Sequence, residues 1–146
     1  MSIKISWPKF GLECSMEPLT KNRILYDWFV AGLPYESVQG HAVVSGDLLY
    51  TKNITVPKIE YEYDKLATNL LTVAPVGTVF INVSRGRVGT IMIKYSTAIT
   101  EDMSYPVIGQ IAAADLETLR AVGDQVWHGY YDSKRYVLCQ FRNGAL

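Results

Sequence analysis

The sequence predicts a mainly β fold with two helices (β+α): a closed β-barrel of about eight strands whose open ends the helices cap. Three observations predict it. Short β-branched and aromatic runs, punctuated by Gly and Pro, recur along the whole chain; only two stretches carry the 3.6-residue apolar period; and no internal repeat or long linker divides the sequence. At 146 residues and 49% apolar, the chain has enough material for one core, so residues 1–146 are expected to form a single domain.

Ile3 to Ser6 and Leu12 to Met16 alternate apolar and polar side chains around Pro8 and Gly11, the pattern of a hairpin. Beyond Pro18, Thr20 can cap a helix that puts Ile24, Leu25, Trp28 and Phe29 on one face, and Gly32 and Pro34 end it. Tyr35 to Gln39, His41 to Ser45 and Leu48 to Thr51 are β-prone runs broken by Gly40 and by the turn pair Gly46 and Asp47. In KIEYEYD, Ile59, Tyr61 and Tyr63 share one face of a strand, and Lys58, Glu60, Glu62 and Asp64 share the other. Leu70 to Ala74, Thr78 to Val83 and Thr90 to Tyr95 supply the central sheet, linked by Pro75 to Gly77 and by SRGRVG. Tyr105 to Ile111 adds a strand. From Asp115, a second helix follows on Leu116, Leu119, Val122 and Val126, weakened by Gly123, and Tyr136 to Phe141 is the last strand.

Composition narrows the function. Lys plus Arg and Asp plus Glu are equal at 14 each, so there is no basic field to hold a phosphate backbone, and nucleic acid is not an expected partner. The cysteines, Cys14 and Cys139, lack CxxC spacing and are expected to be buried free thiols of a reducing compartment. Neither a leader-type apolar region nor a run long enough to span a bilayer occurs in the sequence, which argues against a membrane and for the cytoplasm. The histidines and cysteines are not spaced as metal ligands, and no Gly-rich phosphate loop opens a helix; the expected cofactor set is empty.

Two segments, PYESVQGHAVVSGDLLYT (Pro34 to Thr51) and YPVIGQIAAADLETLRAVGDQVW (Tyr105 to Trp127), resemble the small bacterial proteins with a cyclophilin-like fold. The likeness extends over roughly Leu12 to Phe141 and implies the same closed barrel. The prolyl isomerases of that fold carry a Phe, His and Arg cluster that is absent here; Gln140, Phe141 and Arg142 sit at the end of the last strand instead. A narrower resemblance, through layout and NITVPKIEYEYD (Asn53 to Asp64), is to the cucumopine and mikimopine (opine) synthases. It implies a cofactor-independent Pictet-Spengler condensation of L-histidine with 2-oxoglutarate. A non-catalytic binding module for a small molecule or peptide and a residual peptidyl-prolyl isomerase are the alternatives, and homo-oligomerisation is left open.

Such a reaction asks for acids, bases and carboxylate anchors. Glu60 and Glu62 point the same way from a strand, and neighbouring carboxylates raise one another's pKa, so Glu60 is expected as general base. A solvated edge strand gives the same alternation. His41 is expected to line the pocket as a proton shuttle, on a face shared with Val43 and Ser45. Arg85 and Arg87 flank Gly86 in a turn, where guanidinium forks suit carboxylates, and Arg85, Lys58 and Lys94 are the expected anchors. Tyr50 and Tyr105 are expected to donate phenol hydrogen bonds to the substrate, although packing is the commoner role for Tyr. His128, at the end of the second helix, is read as structural.

Overall fold

The computed structural model describes residues 2–55, 65–82 and 88–144, with the side chains of 52–55 and 88 left out. Lys58, Glu60, Glu62, Arg85 and Arg87, and with them the KIEYEYD strand, lie outside the described residues.

Alternation builds the first hairpin. In β1 (Ile3–Trp7), Ile3, Ile5 and Trp7 are buried while Lys4 and Ser6 are partly exposed. β2 (Leu12–Pro18) pairs with it in the register Ile3↔Met16 and Ile5↔Cys14, adding Cys14 and Met16 to the same interior. Gly11, at φ 64°, turns the chain between them, as a residue without Cβ does most readily. The next element, α1 (Arg23–Ala31), follows a 3-10 turn at Thr20–Asn22. Thr20 does not cap it. The buried Asn22 ties this entry to the barrel, donating to the carbonyls of Ala67 and Val107, each at 2.7 Å. Leu25, Tyr26 and Phe29 are buried and Ile24 is 53% exposed, so the inward face is rotated from the one the sequence suggested.

The remaining strands are β3 (Tyr35–His41), β4 (Gly46–Thr55), β5 (Thr68–Leu70), β6 (Thr78–Asn82), β7 (Val88–Ile99), β8 (Ser104–Ile111) and β9 (Leu138–Asn143); α2 (Leu116–His128) and a π-helical turn (Gly129–Ser133) precede β9. Eight strands close into a ring of order β2-β1-β9-β3-β4-β7-β6-β8, sealed by β2 against β8, and β5 adds to β8 from outside the ring. Every pairing is antiparallel. This is the closed cyclophilin-like barrel that the sequence predicted, with one strand more.

Cross-strand register decides what faces inward. His41, Leu49, Ile93 and Val79 stand side by side across β3, β4, β7 and β6, and Gln39, Thr51, Ile91 and Ile81 form the next row. All eight are buried. On the outer face, Phe80, Met92 and Leu48 pack under Leu71 and Ala74 from the segment after β5, making β6 apolar on both sides. From α2, Leu119, Val122 and Val126 join the interior, as their spacing predicted.

Three strand expectations change. β3 stops at His41: Ala42 N–H still reaches across to Leu48 O at 2.9 Å, but residues 43–45 then bend away, leaving Val43 and Val44 exposed. Leu70 to Ala74 is a strand only at its first residue; beyond it, the N–H groups of Val73 and Ala74 both turn back to Leu70 O. The last strand begins at Leu138, since Tyr136 and Val137 belong to the loop after the π-helical turn. Among the described residues, no helix is long and apolar enough to cross a membrane.

Candidate active site

At the end of the barrel covered by α2, four side chains form a chain of polar contacts. His41 is fully buried; its Nδ1 lies 2.7 Å from Ala42 O and its Nε2 2.6 Å from the Tyr95 hydroxyl. That hydroxyl is also 3.1 Å from Asp47 Oδ1, and the Ser96 hydroxyl donates to Asp47 Oδ2 at 2.5 Å.

The backbone explains how distant residues meet. Gly46 has φ 95°, and a Cβ there would stand 2.1 Å from Ala98 O, so only glycine lets β4 start this close to β7. The register between the two strands shifts between Gly46 and Leu48, and the irregularity aims Asp47 at Tyr95 and Ser96. From above, α2 closes down through Gly123, where a Cβ would lie 2.4 Å from Tyr95 Cδ2. The glycine that weakens the helix pattern in the sequence is therefore the point at which helix and ring touch.

A proton inventory constrains the network. With the imidazole neutral, Nδ1–H donates to Ala42 O, leaving Nε2 as an acceptor. Tyr95 then stands between two acceptors with one proton to give, and the shorter contact is the one to His41. Burial pushes the His41 pKa down, against the opposing effects of the Ala42 carbonyl and the Asp47 charge. Burial first, and then the charge and hydrogen bond of Asp47, push the Tyr95 pKa far up, so the phenol keeps its proton at neutral pH. A proton can therefore move from the Asp47 side, through Tyr95, to His41 without a charge being stranded on the phenol.

This chain opens on a cavity of about 250 Å³ lined by Ala42, Asp47, Tyr95, Arg120, Asp124 and Trp127, among others. Arg120 and Asp124 are a turn apart on α2, with Arg120 Nε 3.4 Å from Asp124 Oδ1. The guanidinium also lies 5.9 Å from the Tyr95 ring centre. Trp127 packs edge-on to His41 at 4.7 Å and against Tyr131 at 4.0 Å. One cation, two carboxylates and an aromatic wall share this one concavity.

The other expected residues are placed elsewhere. Lys94 is buried, but its ammonium donates to the carbonyls of Leu71 (2.7 Å), Thr72 (3.2 Å) and Ala74 (2.7 Å), so its three protons hold the turn after β5 instead of a substrate carboxylate. Tyr50 packs over Gly40 on the outer face, hydrogen-bonded to Tyr130, with a pKa pushed up to about 12 by burial and that neighbour. Tyr105 is half-buried in the outer cluster, and its hydroxyl lies 3.5 Å from Met103 Sδ. Neither tyrosine lines the Asp47 cavity. His128 pairs with Asp132 at 2.5 Å on the surface. In the second inner row, Trp7 Nε1 donates to Gln39 Oε1 at 3.0 Å, while the buried Thr51 hydroxyl has no partner among the described residues. Among those residues, no three His, Cys, Asp or Glu side chains gather as metal ligands.

Sequence reasoning singled out His41, but as a residue of the pocket lining, whereas it stands behind Tyr95 and does not line the cavity. That reasoning missed Asp47, Arg120, Asp124 and Trp127. The one available signal was that Gly46 and Asp47 followed a histidine at a strand end; nothing in the helix pattern distinguished Arg120 and Asp124 from an ordinary surface pair.

No protein-family model and no curated protein matches the chain. Among solved structures, McbB in complex with tryptophan aligns with a TM-score of 0.84 and 28% identity over 99% of this chain and 45% of McbB, so the chain spans less than half of that protein's length and shares the fold of the part it covers.

Proposed function

We propose that the chain is a cofactor-independent enzyme that condenses an aromatic α-amino acid with a 2-oxo acid by a Pictet-Spengler cyclisation, with L-histidine and 2-oxoglutarate as the substrates. The observation that carries this reading is that Asp47 and Tyr95, backed by the buried His41, line a cavity that also holds Arg120, Asp124 and Trp127. Its support from outside is McbB, whose structure holds tryptophan. Tryptophan and histidine share the two groups the reaction uses, a primary amine and an electron-rich ring carbon within reach of it.

The amine adds to the ketone and water leaves, giving an imine; protonation makes it an iminium; the ring carbon attacks the iminium carbon; and loss of the ring proton restores aromaticity. In this reading Arg120 binds the amino acid's carboxylate and Asp124 orients its ammonium before the amine is deprotonated. Asp47 accepts the proton that the ammonium loses and returns it to the imine, and Tyr95 can pass a proton on to the acceptor nitrogen of His41. Glu60 acts as the base that removes the ring proton, with Lys58 and Arg85 as anchors for the oxo acid's carboxylates.

The test incubates purified protein with L-histidine or L-tryptophan and 2-oxoglutarate and follows the cyclised adduct, the sum of the two reactants less one water, by chromatography and mass spectrometry. Adduct formation above the spontaneous rate supports the reading. Background rates with both amino acids remove it, and thermal stabilisation by either one without turnover favours a binding module.

A further inference from the structure

A second cavity, of about 240 Å³, lies on another side of the π-helical turn, between β3 (Val38, Gln39), Tyr130 and the loop residues Lys134, Arg135 and Tyr136. It shares no lining residue with the Asp47 cavity. Its ionisable lining is one-sided: a lysine, an arginine and two tyrosines, with no carboxylate. Arg135 is exposed, and its guanidinium has neither hydrogen bond nor ion pair among the described residues. Lys134 donates to Tyr131 O at 2.5 Å, with its ammonium 5.9 Å from the Tyr131 ring centre.

The floor is rigid and already satisfied. Gln39 is buried; its Oε1 accepts from Trp7, and its Nε2 donates to the carbonyls of Gly40 (3.1 Å) and Tyr50 (2.9 Å). Polar recognition has to come from the rim cations. The rim is otherwise apolar and unusually exposed: Tyr136 is 83% exposed, and Val38 and Leu138, directly paired across β3 and β9, are 42% and 43% exposed. An apolar patch beside unpaired positive charge suits a ligand with an apolar body and one anionic end. Lys134, at φ 56°, caps the π-helical turn in the left-handed conformation, its N–H returning to Gly129 O, and so sets the course of the loop that carries both cations.

We infer that this cavity is a second binding site, for a small aromatic monocarboxylate: Arg135 takes the carboxylate in a bidentate fork, Lys134 adds charge, and Tyr130 and Tyr136 cover the ring. Occupancy of this site is independent of turnover in the Asp47 cavity.

The test titrates ¹⁵N-labelled protein with phenylacetate and, separately, with its neutral isostere phenylacetamide, up to ~20 mM, a range that captures weak small-ligand binding. Phenylacetate is expected to shift the amides of Val38, Tyr130, Arg135 and Tyr136 saturably, and phenylacetamide to bind about tenfold more weakly. Arg135→Glu is expected to abolish the carboxylate preference while leaving the dispersion of the spectrum unchanged; Tyr136→Ser should weaken both ligands alike. Equal binding of the two probes, an unchanged preference in Arg135→Glu, shifts confined to Asp47 and Trp127, or no saturation would each overturn the assignment.

Discussion

Gly123 of α2 and the ring of Tyr95 on β7 are in direct contact, with room for a hydrogen and not for a methyl group. Gly123→Ala should raise intrinsic helix propensity by roughly 1 kcal/mol, yet the added carbon meets Tyr95 at 2.4 Å. The expected result is net destabilisation in urea and loss of condensation, since the ring must move away from His41. A more stable, fully active Gly123→Ala protein would show that the contact positions nothing.

Tyr95→Phe keeps the ring and removes the hydroxyl joining His41 to Asp47. Turnover is expected to fall by about 10²- to 10⁴-fold, the range for general acid-base groups, with a smaller change in KM than in kcat. Steady-state kinetics on the cyclised product decides it.

His41 makes stability depend on pH. Burial holds its pKa below the ordinary 6.5, so on acidification the unfolded chain takes up this proton before the folded one does. The sign follows: the native state loses stability as pH falls below 6.5, until the folded-state pKa is reached, and the site contributes nothing further above 6.5. Urea midpoints measured from pH 8 to pH 5 should decline across that window, and less in His41→Gln. Imidazole ¹⁵N shifts should report a neutral Nδ1–H tautomer at pH 7.

Lys94→Met is expected to destabilise the fold by about 3 kcal/mol or more, because three carbonyls lose their donor in a buried setting. Chemical denaturation measures it. A loss below about 1 kcal/mol would mean that water replaces the ammonium.

Cys14 and Cys139 are buried free thiols, as their spacing suggested, and burial pushes the Cys14 pKa up to about 12. Alkylation of the native protein at pH 8 should therefore be slower by about three orders of magnitude than that of an unperturbed thiol, and rise to the ordinary rate in denaturant.

What the sequence by itself determined was periodicity. Alternation in Ile3 to Ser6 and the spacing of Leu119, Val122 and Val126 name their buried faces, because a strand repeats every two residues and a helix every 3.6. Burial of both cysteines was equally legible. Tertiary structure alone decided the ends of elements and the site. Whether His41 ended a strand depended on the bend at 43–45, and whether Lys94 met a substrate or a turn depended on three carbonyls brought from 71 to 74. Asp47, Tyr95 and Gly123 converge only because β4, β7 and α2 meet at one rim of a closed ring. Closure couples residues scores of positions apart, and a local pattern carries no record of which of them will face one another.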